Sequence, residues 1–301
     1  MVEKSFNIEF HKSVLIAEVL TYLAPRPGGL YVDATFGGGG HTYAILAHEP
    51  GCRVIACDWD AESLERNSAL VREQFGERLE TIWGNFAQLP QLLKKKGFPR
   101  VDGVLADFGT SQFQITERAG FSFTGTAPLD MRMSQAHGQL TAEELIRRAS
   151  EEELSYIFHT FGEERFSRRI ARAVVAARRE RPIKTTADLV KVILSVVPKR
   201  LGGLHPATRV FQALRIVVNR ELENIQTFLG HLPQILAPEG RAVCISFHSL
   251  EDRLVKTYFR DNKDLFEVLT PKVVIPQDEE VHENPSARSA RLRAAQFRGV
   301  K

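Results

Sequence analysis

The stretch Leu30-Tyr31-Val32-Asp33-Ala34-Thr35-Phe36-Gly37-Gly38-Gly39-Gly40-His41 passes from a short apolar run into four consecutive glycines. The run Leu30–Ala34 predicts a buried strand, and the helical periodicity of His41–Ala47 predicts that a helix follows. Glycine allows positive φ angles and a close approach of the backbone to a ligand, while the first turn of a helix offers free N–H donors. The stretch therefore predicts a strand, a turn that cradles a nucleotide-like ligand, and a helix.

The spacing of these glycines argues against two common nucleotide sites. A dinucleotide-binding turn of the form G-x-G-x-x-G needs a third glycine at Thr42 or Tyr43, and neither position has one. A P-loop is excluded because no G-K-[ST] sequence follows. A glycine turn alone is a weak signal, so the ligand has to be identified from the residues around it.

Two acidic residues and one aromatic residue indicate which ligand the turn binds. Asp58 ends the second predicted strand about 20 residues beyond the glycines, where a carboxylate can hydrogen-bond both ribose hydroxyls of an adenosine. Asp33 can receive the amino-acid end of the ligand, directly or through water, and Phe86 offers an aromatic face for the adenine. With Gly37 in the turn, these features predict S-adenosylmethionine. The alternative is that Asp33 and Asp58 only cap helices, a role in which aspartate is common.

Alternating strands and helices predict the rest of the architecture, because short apolar runs bounded by turn residues are typical of parallel strands joined by crossover helices. Strands are expected at Leu30–Ala34, Arg53–Asp58, Leu79–Trp83, Val101–Asp107 and Arg241–Phe247, with closing strands at Leu265–Leu269, Lys272–Ile275 and Leu292–Phe297. Helices are expected at Val14–Leu23, His41–Ala47, Ala61–Phe75, Ala213–Leu236 and Ser249–Arg260, and a loop across Asp278–Glu283. The predicted fold class is α/β, a doubly wound Rossmann-like sheet of the class I methyltransferase type.

A long helical segment interrupts this pattern between the fourth and fifth strands. A loop rich in glycine, serine, threonine and phenylalanine runs from Thr110 to Pro128 and leads into a helical, basic stretch that reaches about Pro198. We predict a discontinuous methyltransferase domain at residues 1–112 and 206–301, with an inserted, mostly α-helical domain at residues 113–205. In open α/β sheets the ligand crevice lies beyond the carboxyl ends of the strands, so the insert is placed to bind substrate.

The positive charges of the chain are concentrated in two blocks. The net charge is only +3, yet the segment from Arg165 to Arg220 holds 14 Lys or Arg residues against two acids. The segment from Ser286 to Lys301 holds five Lys or Arg residues and no acid. Two basic blocks flanking a cofactor site predict a polyanionic partner. The alternative is that these arginines only form solvated helix faces.

The composition is that of an ordinary globular protein of 301 residues, 43% hydrophobic and 26% charged. No apolar run approaches the roughly 20 residues that cross a bilayer, and the N-terminus lacks the apolar stretch of a signal peptide, so we expect a cytoplasmic protein without a membrane partner. The three cysteines show no C-x-x-C spacing, which indicates neither a disulfide framework nor a metal site. The sequence does not decide the oligomeric state, so it neither predicts nor excludes a homodimer.

The ends of the fourth and fifth predicted strands carry the candidate catalytic residues. Asp107 and Ser111 follow the fourth strand and His248 follows the fifth, the position from which side chains reach the reacting atom in such a sheet. Ser249 and Asp252 resemble a capping box and can equally well only start a helix. His248 can likewise be a structural histidine rather than a functional one.

Further polar and aromatic residues are predicted around the mouth of this crevice. The segments Arg118–Phe123 and Pro128–Met133 mix aromatic, charged and flexible residues, as a substrate lid would, although a hydrophobic satellite core is the alternative. The candidate substrate-binding residues are His11, Arg118, Arg132, Arg253, Arg288, Arg291 and Arg293.

Seven segments, in the expected order along nearly the whole chain, resemble motifs of the bacterial ribosomal RNA small subunit methyltransferase H family (RsmH, also called MraW). They are His11–Leu15, Asp33–His41, Arg118–Phe123, Leu129–Met133, Ala213–Leu222, Ser246–Arg253 and Asn284–Arg293. The resemblance implies methylation of the N4 amine of cytidine 1402 of 16S rRNA, in the decoding centre of the assembled small subunit. A proton must leave that amine, so Asp107 is expected first as its acceptor, with Ser111 and His248 as secondary candidates.

Carried over residue by residue, the resemblance implies cofactor contacts at Gly39, Gly40, His41, Asp58, Phe86, Asp107 and Gln114. The chain departs from the family pattern in two places. The segment from Phe108 to Gln114 reads FGTSQFQ where the family has LGVSSPQ, which changes the loop before Gln114. Ser286 stands where the family has an arginine, which removes one RNA contact, whereas Arg288, Arg291 and Arg293 remain.

Three other functions share part of this evidence. A different DNA or RNA amino-methyltransferase would have the same cofactor half, but the family-like insert and tail count against it. A non-enzymatic RNA-binding module would not bind S-adenosylmethionine. A small-molecule methyltransferase has no use for two basic blocks, and a strong salt dependence of RNA association would count against it.

Overall fold

The computed structural model of the chain describes residues 13–109, 120–123, 125–134, 140–197 and 204–299. Contacts divide the chain into a sheet unit, Met1–Ser111 with Leu222–Lys301, and a helical unit, Gln112–Glu221. The second boundary differs from the one expected at residue 205. The reason is that Thr208–Asn219 contributes several side chains, Phe211 and Leu214 among them, to the buried cluster of the helical unit.

The sheet unit contains seven strands: β1 (Leu30–Asp33), β2 (Arg53–Asp58), β3 (Leu79–Trp83), β4 (Val101–Asp107), β5 (Leu236–Ser246), β6 (Phe266–Val268) and β7 (Arg291–Phe297). Their order across the sheet is β3-β2-β1-β4-β5-β7-β6. Strands β1 to β5 pair in parallel, and β7 is antiparallel to β5 and β6. The order reverses between β1 and β4, which is where doubly wound sheets bind ligands. The predicted Rossmann-like fold is confirmed, as a mixed sheet.

The helices of the described chain are α1 (Ile16–Leu23), α2 (Gly40–His48), α3 (Ala61–Phe75), α4 (Leu89–Lys95), α5 (Ala142–Arg148), α6 (Glu151–Thr160), α7 (Ser167–Glu180), α8 (Thr186–Val196), α9 (Thr208–Asn219), α10 (Glu221–Ile235), α11 (Ser249–Asp261) and α12 (Asp278–Glu283). Helices α5 to α9 belong to the helical unit. None of the helices in the described ranges combines the length and the apolar composition that crossing a bilayer requires.

Alternate residues of the central strands face two separate hydrophobic clusters. Val32 and Ile55 belong to one cluster, while Tyr31 and Val54 belong to the other. All four side chains are at most 1% exposed. Strands that are buried on both faces have almost continuous apolar sequences, which explains why the predicted bounds of β2 and β4 match the observed ones. The predicted bounds of the edge strand β3 match as well, although its sequence mixes apolar and polar residues.

Three predicted elements differ from the structure. Lys272–Ile275 forms a single bridge from Val274 to Leu292 rather than a strand. The helix predicted over Ala213–Leu236 is two helices, α9 and α10, separated at Arg220, whose φ of 51° is left-handed. The segment predicted as a loop forms α12, and Glu280 on it accepts the backbone N–H of Leu15 at 2.7 Å.

Local signals start several helices of the helical unit. Capping boxes open α5, α6 and α8, with Thr141, Ser150 and Thr185 as the N-cap residues. Helix α7 buries Ile170, Ala171 and Val174 on one face, and arginines occupy its exposed face. Among the described residues, the core of this unit is therefore built from these helices together with residues of the connecting segments, such as Leu129, Met131 and Ile183.

Candidate active site

The turn between β1 and α2 requires glycine at several positions. Gly37 and Gly39 have φ values of 51° and 82°, and Gly39 is the N-cap residue of α2. A Cβ atom on Gly40 would collide with the Ser13 hydroxyl oxygen, so a side chain there would displace Ser13 or the turn. The first N–H groups of α2 have no partner within the helix, so this turn offers hydrogen-bond donors at the carboxyl end of β1.

Asp58, at the end of β2, holds this turn in place. Its Oδ2 accepts the N–H of Gly37 at 2.7 Å, and its Oδ1 accepts the N–H of Asp60 at 2.9 Å. Burial raises the pKa of Asp58 to about 6, although these N–H groups act in the opposite direction. The N-cap residue of α3 is Asp60, so Asp58 is not the cap of that helix. Each oxygen keeps a second lone pair, and the ribose contact stays a prediction.

Two residues of α3 hold the other side of Gly37, and sequence interpretation missed both. The Ser63 hydroxyl and the Asn67 amide donate to the Gly37 carbonyl oxygen at 3.1 Å and 2.7 Å. Ser63 and Asn67 are buried on the face of α3 that also buries Leu64 and Val71. The sequence signal for these two residues was their position in α3, where the helical period places both polar side chains on the apolar face of the helix.

Asp33 lies buried beneath the turn, with 1% of its surface exposed. Its Oδ2 accepts the Thr42 hydroxyl at 2.7 Å, and its Oδ1 accepts the N–H of Thr35 at 3.2 Å. Burial raises the pKa of Asp33, and the nearby His41 acts to lower it. Asp33 therefore joins the end of β1 to α2 from below, and its contact with the amino-acid end of the cofactor stays a prediction.

Asp107 ends β4, the neighbour of β1 in the sheet. Its N–H donates to the Thr35 hydroxyl oxygen at 2.7 Å, which ties the end of β4 to the glycine turn. Its Oδ1 is buried and has no hydrogen-bond partner among the described residues. Burial raises the pKa of Asp107 to about 7, and of its charged neighbours His41 lowers it while Asp33 and Glu251 raise it further. A buried carboxylate oxygen without a donor is costly and marks a candidate functional group.

His41, in the first turn of α2, lies between the backbone carbonyl of Val14 and the carboxylate of Asp107. It is 5% exposed, and its Nε2 lies 2.8 Å from the carbonyl oxygen of Val14. A carbonyl oxygen can only accept, so Nε2 carries the hydrogen. The other ring nitrogen, Nδ1, lies 3.8 Å from Oδ2 of Asp107. The imidazole is thus fixed on one side and faces the candidate catalytic carboxylate on the other.

His248 is the N-cap residue of α11, one position before the expected cap. Its Nδ1 accepts the N–H of Glu251 at 3.4 Å, and the Glu251 carboxylate accepts the N–H of His248 at 3.3 Å. The capping box predicted for Ser249 and Asp252 is therefore wrong by one residue. His248 has a structural role, and its catalytic role stays a prediction.

The ring of Phe86 is part of an aromatic cluster at the end of β3. Its centroid lies 5.8 Å from that of Phe108 and 5.6 Å from that of Phe228. The side chain is half-buried, which leaves part of its surface accessible. Contact with the adenine stays a prediction.

Two of the arginines that we expected at the RNA are engaged in ion pairs within their own units. In the sheet unit, Arg293 Nε and Nη2 lie 2.6 Å and 3.2 Å from the carboxylate of Asp252, and the Arg293 side chain is only 12% exposed. In the helical unit, Arg132 Nε donates to Asp130 at 2.7 Å. Both charges are already neutralised in the fold, which argues against a role as primary phosphate contacts.

The remaining predicted residues are more accessible or lie outside the described ranges. Arg253 and Arg288 are exposed, and Arg291 is half-buried at the start of β7. The predictions for His11, Ser111, Gln114 and Arg118 fall on residues outside the part of the chain that the structure describes.

The chemistry of this site suits S-adenosylmethionine. Asp33, Asp58 and Asp107 lie at the carboxyl ends of β1, β2 and β4, so the side chains around the turn are mainly hydrogen-bond acceptors. Acceptors suit ribose hydroxyls and a positively charged ligand, whereas they would repel the phosphates of a dinucleotide. The Asp107 Oδ1 without a partner is a further acceptor available to a ligand or a substrate.

Comparisons with known proteins identify the family of this chain. The model of the MraW methylase family matches residues 8–298. A protein of Cyanothece sp. named ribosomal RNA small subunit methyltransferase H is 49% identical over 298 residues, covering 98% of each chain. A protein of the same name from Sorangium cellulosum is 48% identical over 292 residues, covering 95% of this chain and 90% of its own.

Solved structures resemble the chain less closely. A putative rRNA methylase from Clostridium thermocellum aligns with a TM-score of 0.46 at 10% identity, over 96% of this chain and 100% of its own. A putative methyltransferase from Streptococcus mutans, in complex with SAH, aligns with a TM-score of 0.39 at 10% identity, over 95% of this chain and 99% of its own. The strand order, the glycine turn and the near-complete match to the family model together establish that the chain belongs to the MraW methylase family of S-adenosylmethionine-dependent methyltransferases.

Proposed function

We propose that this methyltransferase acts on 16S rRNA in the assembled small ribosomal subunit, where it methylates the N4 amine of cytidine 1402 in the decoding centre. The relatives carry a name that specifies small-subunit rRNA, and the sequence motifs resemble those of the family with this target. The observation that carries the proposal is the buried Oδ1 of Asp107, which lacks a donor among the described residues. An amine N–H of a cytosine is a donor of the kind that this oxygen lacks.

The amine of cytosine is a poor nucleophile because its lone pair is delocalised into the ring. When bound, S-adenosylmethionine supplies a methyl group on a positively charged sulfur. Asp107 accepts a hydrogen bond from N4, which orients the amine, and it takes the proton that N4 must lose. The Thr35 hydroxyl fixes the backbone of Asp107 against the glycine turn, so the acceptor and the cofactor site share one rigid element. Orientation of this kind can lower the barrier by roughly 7–11 kcal/mol.

The helical unit supplies a surface for the RNA backbone. Arg165, just before α7, and Arg168, Arg169 and Arg179 on it are exposed, and their spacing places them on one helix face. That face lies opposite Ile170 and Val174, which pack into the core. Arginine suits phosphate recognition because its planar group donates in a fork. The target base must also leave its stack to reach a crevice of this kind.

Mass spectrometry of the 16S decoding-region fragment tests the substrate directly. Cells that lack the gene are compared with cells that carry the wild-type protein or Asp107→Asn, and purified small subunits are compared with free 16S rRNA as substrates. We expect a methyl group on N4 of cytidine 1402 only with the wild-type protein, and faster methylation of subunits than of free RNA. An unchanged methylation state of this cytidine would refute the proposed target.

A further inference from the structure

The orientation of His41, a residue for which the family resemblance implies a cofactor contact, is also defined by two groups of the chain itself. The backbone carbonyl of Val14 lies 2.8 Å from Nε2, and this contact fixes the ring through its Nε2–H. Nδ1 then faces Oδ2 of Asp107 at 3.8 Å. This distance is too long for a hydrogen bond but short enough for a strong electrostatic interaction in a buried site.

The two oxygens of Asp107 have different surroundings. Oδ2 faces the imidazole of His41, whereas Oδ1 is the buried oxygen without a donor. The charged groups around the carboxylate are His41 on α2, Asp33 at the end of β1 and Glu251 on α11. Asp33 and Glu251 are negative and oppose ionisation of Asp107, so His41 is the neighbour that can favour it.

We propose that His41, with protons on both Nε2 and Nδ1, is a positioning residue whose positive charge keeps Asp107 ionised, so that the opposite oxygen, Oδ1, can accept the proton of the substrate amine. This inference rests on the proposed function, because it needs an N–H group as substrate. His41 itself touches neither the amine nor the transferred methyl group. Its effect reaches the reaction through the charge of Asp107.

The proton balance of this step is simple. The nitrogen lone pair forms the new N–C bond, and the electron pair of the broken S–C bond stays on sulfur. One N4–H bond then breaks, its electron pair returns to nitrogen, and the proton forms an O–H bond with Oδ1 of Asp107. The carboxylate becomes a neutral carboxylic acid, which a buried site tolerates better than the ion. It loses the proton to water when the product leaves.

His41→Gln separates this role from a structural one. The glutamine amide can still donate to the Val14 carbonyl, but it carries no positive charge opposite Asp107. His48→Gln, at an exposed position on the same helix α2, is the matched control. The measurement is the single-turnover rate of methyl transfer to small subunits at saturating S-adenosylmethionine, from about pH 5.5 to about pH 9, with cofactor affinity measured by calorimetry.

We expect the acidic limb of the rate profile to move to higher pH in His41→Gln, so that the ratio of rates at about pH 9 and about pH 6 rises about tenfold. The profile of His48→Gln should match that of the wild type. An acidic limb at the wild-type position in His41→Gln would overturn the proposal. A uniform loss of rate at every pH would also overturn it, because a purely structural role predicts that result.

Nuclear magnetic resonance of ¹⁵N-histidine-labelled protein tests the same contact without changing His41. We expect a protonated Nε2 in both the wild type and Asp107→Asn, and an Nδ1 signal that differs between them. Identical Nδ1 signals at every pH would overturn the proposal. Failure of the substrate assignment is recognised separately, since mass spectrometry would then find the methyl group on an atom other than cytidine N4.

Discussion

The two units of the molecule place their charged residues in opposite ways. In the sheet unit, Asp33 and Asp58 are buried at the strand ends and Asp107 is nearly so. In the helical unit, arginines cover the exposed face of α7. Buried carboxylates reduce stability unless donors surround them, whereas an exposed arginine costs little because its charged group stays in water. The difference indicates that the sheet unit gives up stability for chemistry, while the helical unit supplies charge for binding.

The strongest test of this comparison is Asp107→Asn, which keeps the shape of the side chain and removes its basicity. We expect methyl transfer to small subunits to fall by about 10²- to 10⁴-fold, the usual contribution of a positioned acid or base. The rate is measured at saturating S-adenosylmethionine, and calorimetry measures separately any loss of the cofactor contact that the resemblance implies for Asp107. Near-normal turnover would remove Asp107 from the chemistry and leave its burial unexplained.

The same substitution should make the protein more stable at alkaline pH. The pKa of Asp107 rises from 3.8 to about 7 in the folded state, so the folded protein binds more protons than the unfolded chain between these values. The free energy of unfolding therefore falls as the pH rises through this window, because the buried Asp107 carboxyl must give up its proton. We expect Asp107→Asn to raise the free energy of unfolding by up to about 4 kcal/mol at about pH 8 and by nearly nothing at about pH 4.

Urea denaturation at the two pH values measures this effect. A stability difference that is the same at both would show that packing, rather than the charge of Asp107, causes it. In that case the burial of the Asp107 charge would not reduce the stability of the sheet unit, and the contrast between the two units would not hold for this residue.

Gly40→Ala tests how closely the sheet unit is packed around its turn. The new Cβ would collide with the Ser13 hydroxyl, so either Ser13 or the turn must move. We expect affinity for S-adenosylmethionine to fall about tenfold, a loss of about 1.4 kcal/mol, measured by calorimetry. Gly230→Ala in α10, where a Cβ would have no neighbour within 4 Å, is the control and should bind normally. Equal affinities would show that the turn tolerates displacement.

The smallest expected effect concerns the helical unit. Removing two exposed charges of α7 in the double variant Arg168→Ala, Arg169→Ala should weaken RNA association severalfold. The slope of log K against log salt should become shallower by about 1.5. Cofactor affinity should not change. Arg260→Ala, which removes an exposed arginine paired with Asp261 in the sheet unit, is the matched control. An unchanged slope in the double variant would show that this helix face is only solvated.

The parts of the fold that depend on burial could be predicted from the sequence. β2 and β4 have buried apolar stretches, residues 54–57 and 104–106, that face both hydrophobic clusters, and their ends could be predicted for that reason. The break between α9 and α10 was not readable, because it depends on a left-handed conformation at Arg220, a residue type that seldom adopts one. The short helix α12 could not be predicted either, because a run of acidic residues alone does not distinguish a helix from a loop.

Site residues could be predicted where their position after a strand indicates their role. They could not be predicted where their role is a hydrogen bond to a backbone group distant in sequence. Gly37 and Asp58 could be identified from their positions after strands. Ser63 and Asn67 could not, because their partner is a carbonyl oxygen 26 and 30 residues away in sequence. The predicted N-cap, Ser249, lies one residue after the observed one, His248, because serine is a common N-cap residue and histidine is an unusual one.

The contact between Glu280 and Leu15 has a consequence for how the chain folds during synthesis. These residues are 265 positions apart, and Leu15 begins the segment that leads into α1 beside the glycine turn. The helical unit is one continuous segment, whereas the sheet unit also needs the chain from Leu222 onwards. Because proteins emerge from the ribosome amino end first and domains fold as units, the helical unit can complete its core while the strands of the sheet unit still wait for their partners. The cofactor site is therefore among the last parts of the nascent chain to form.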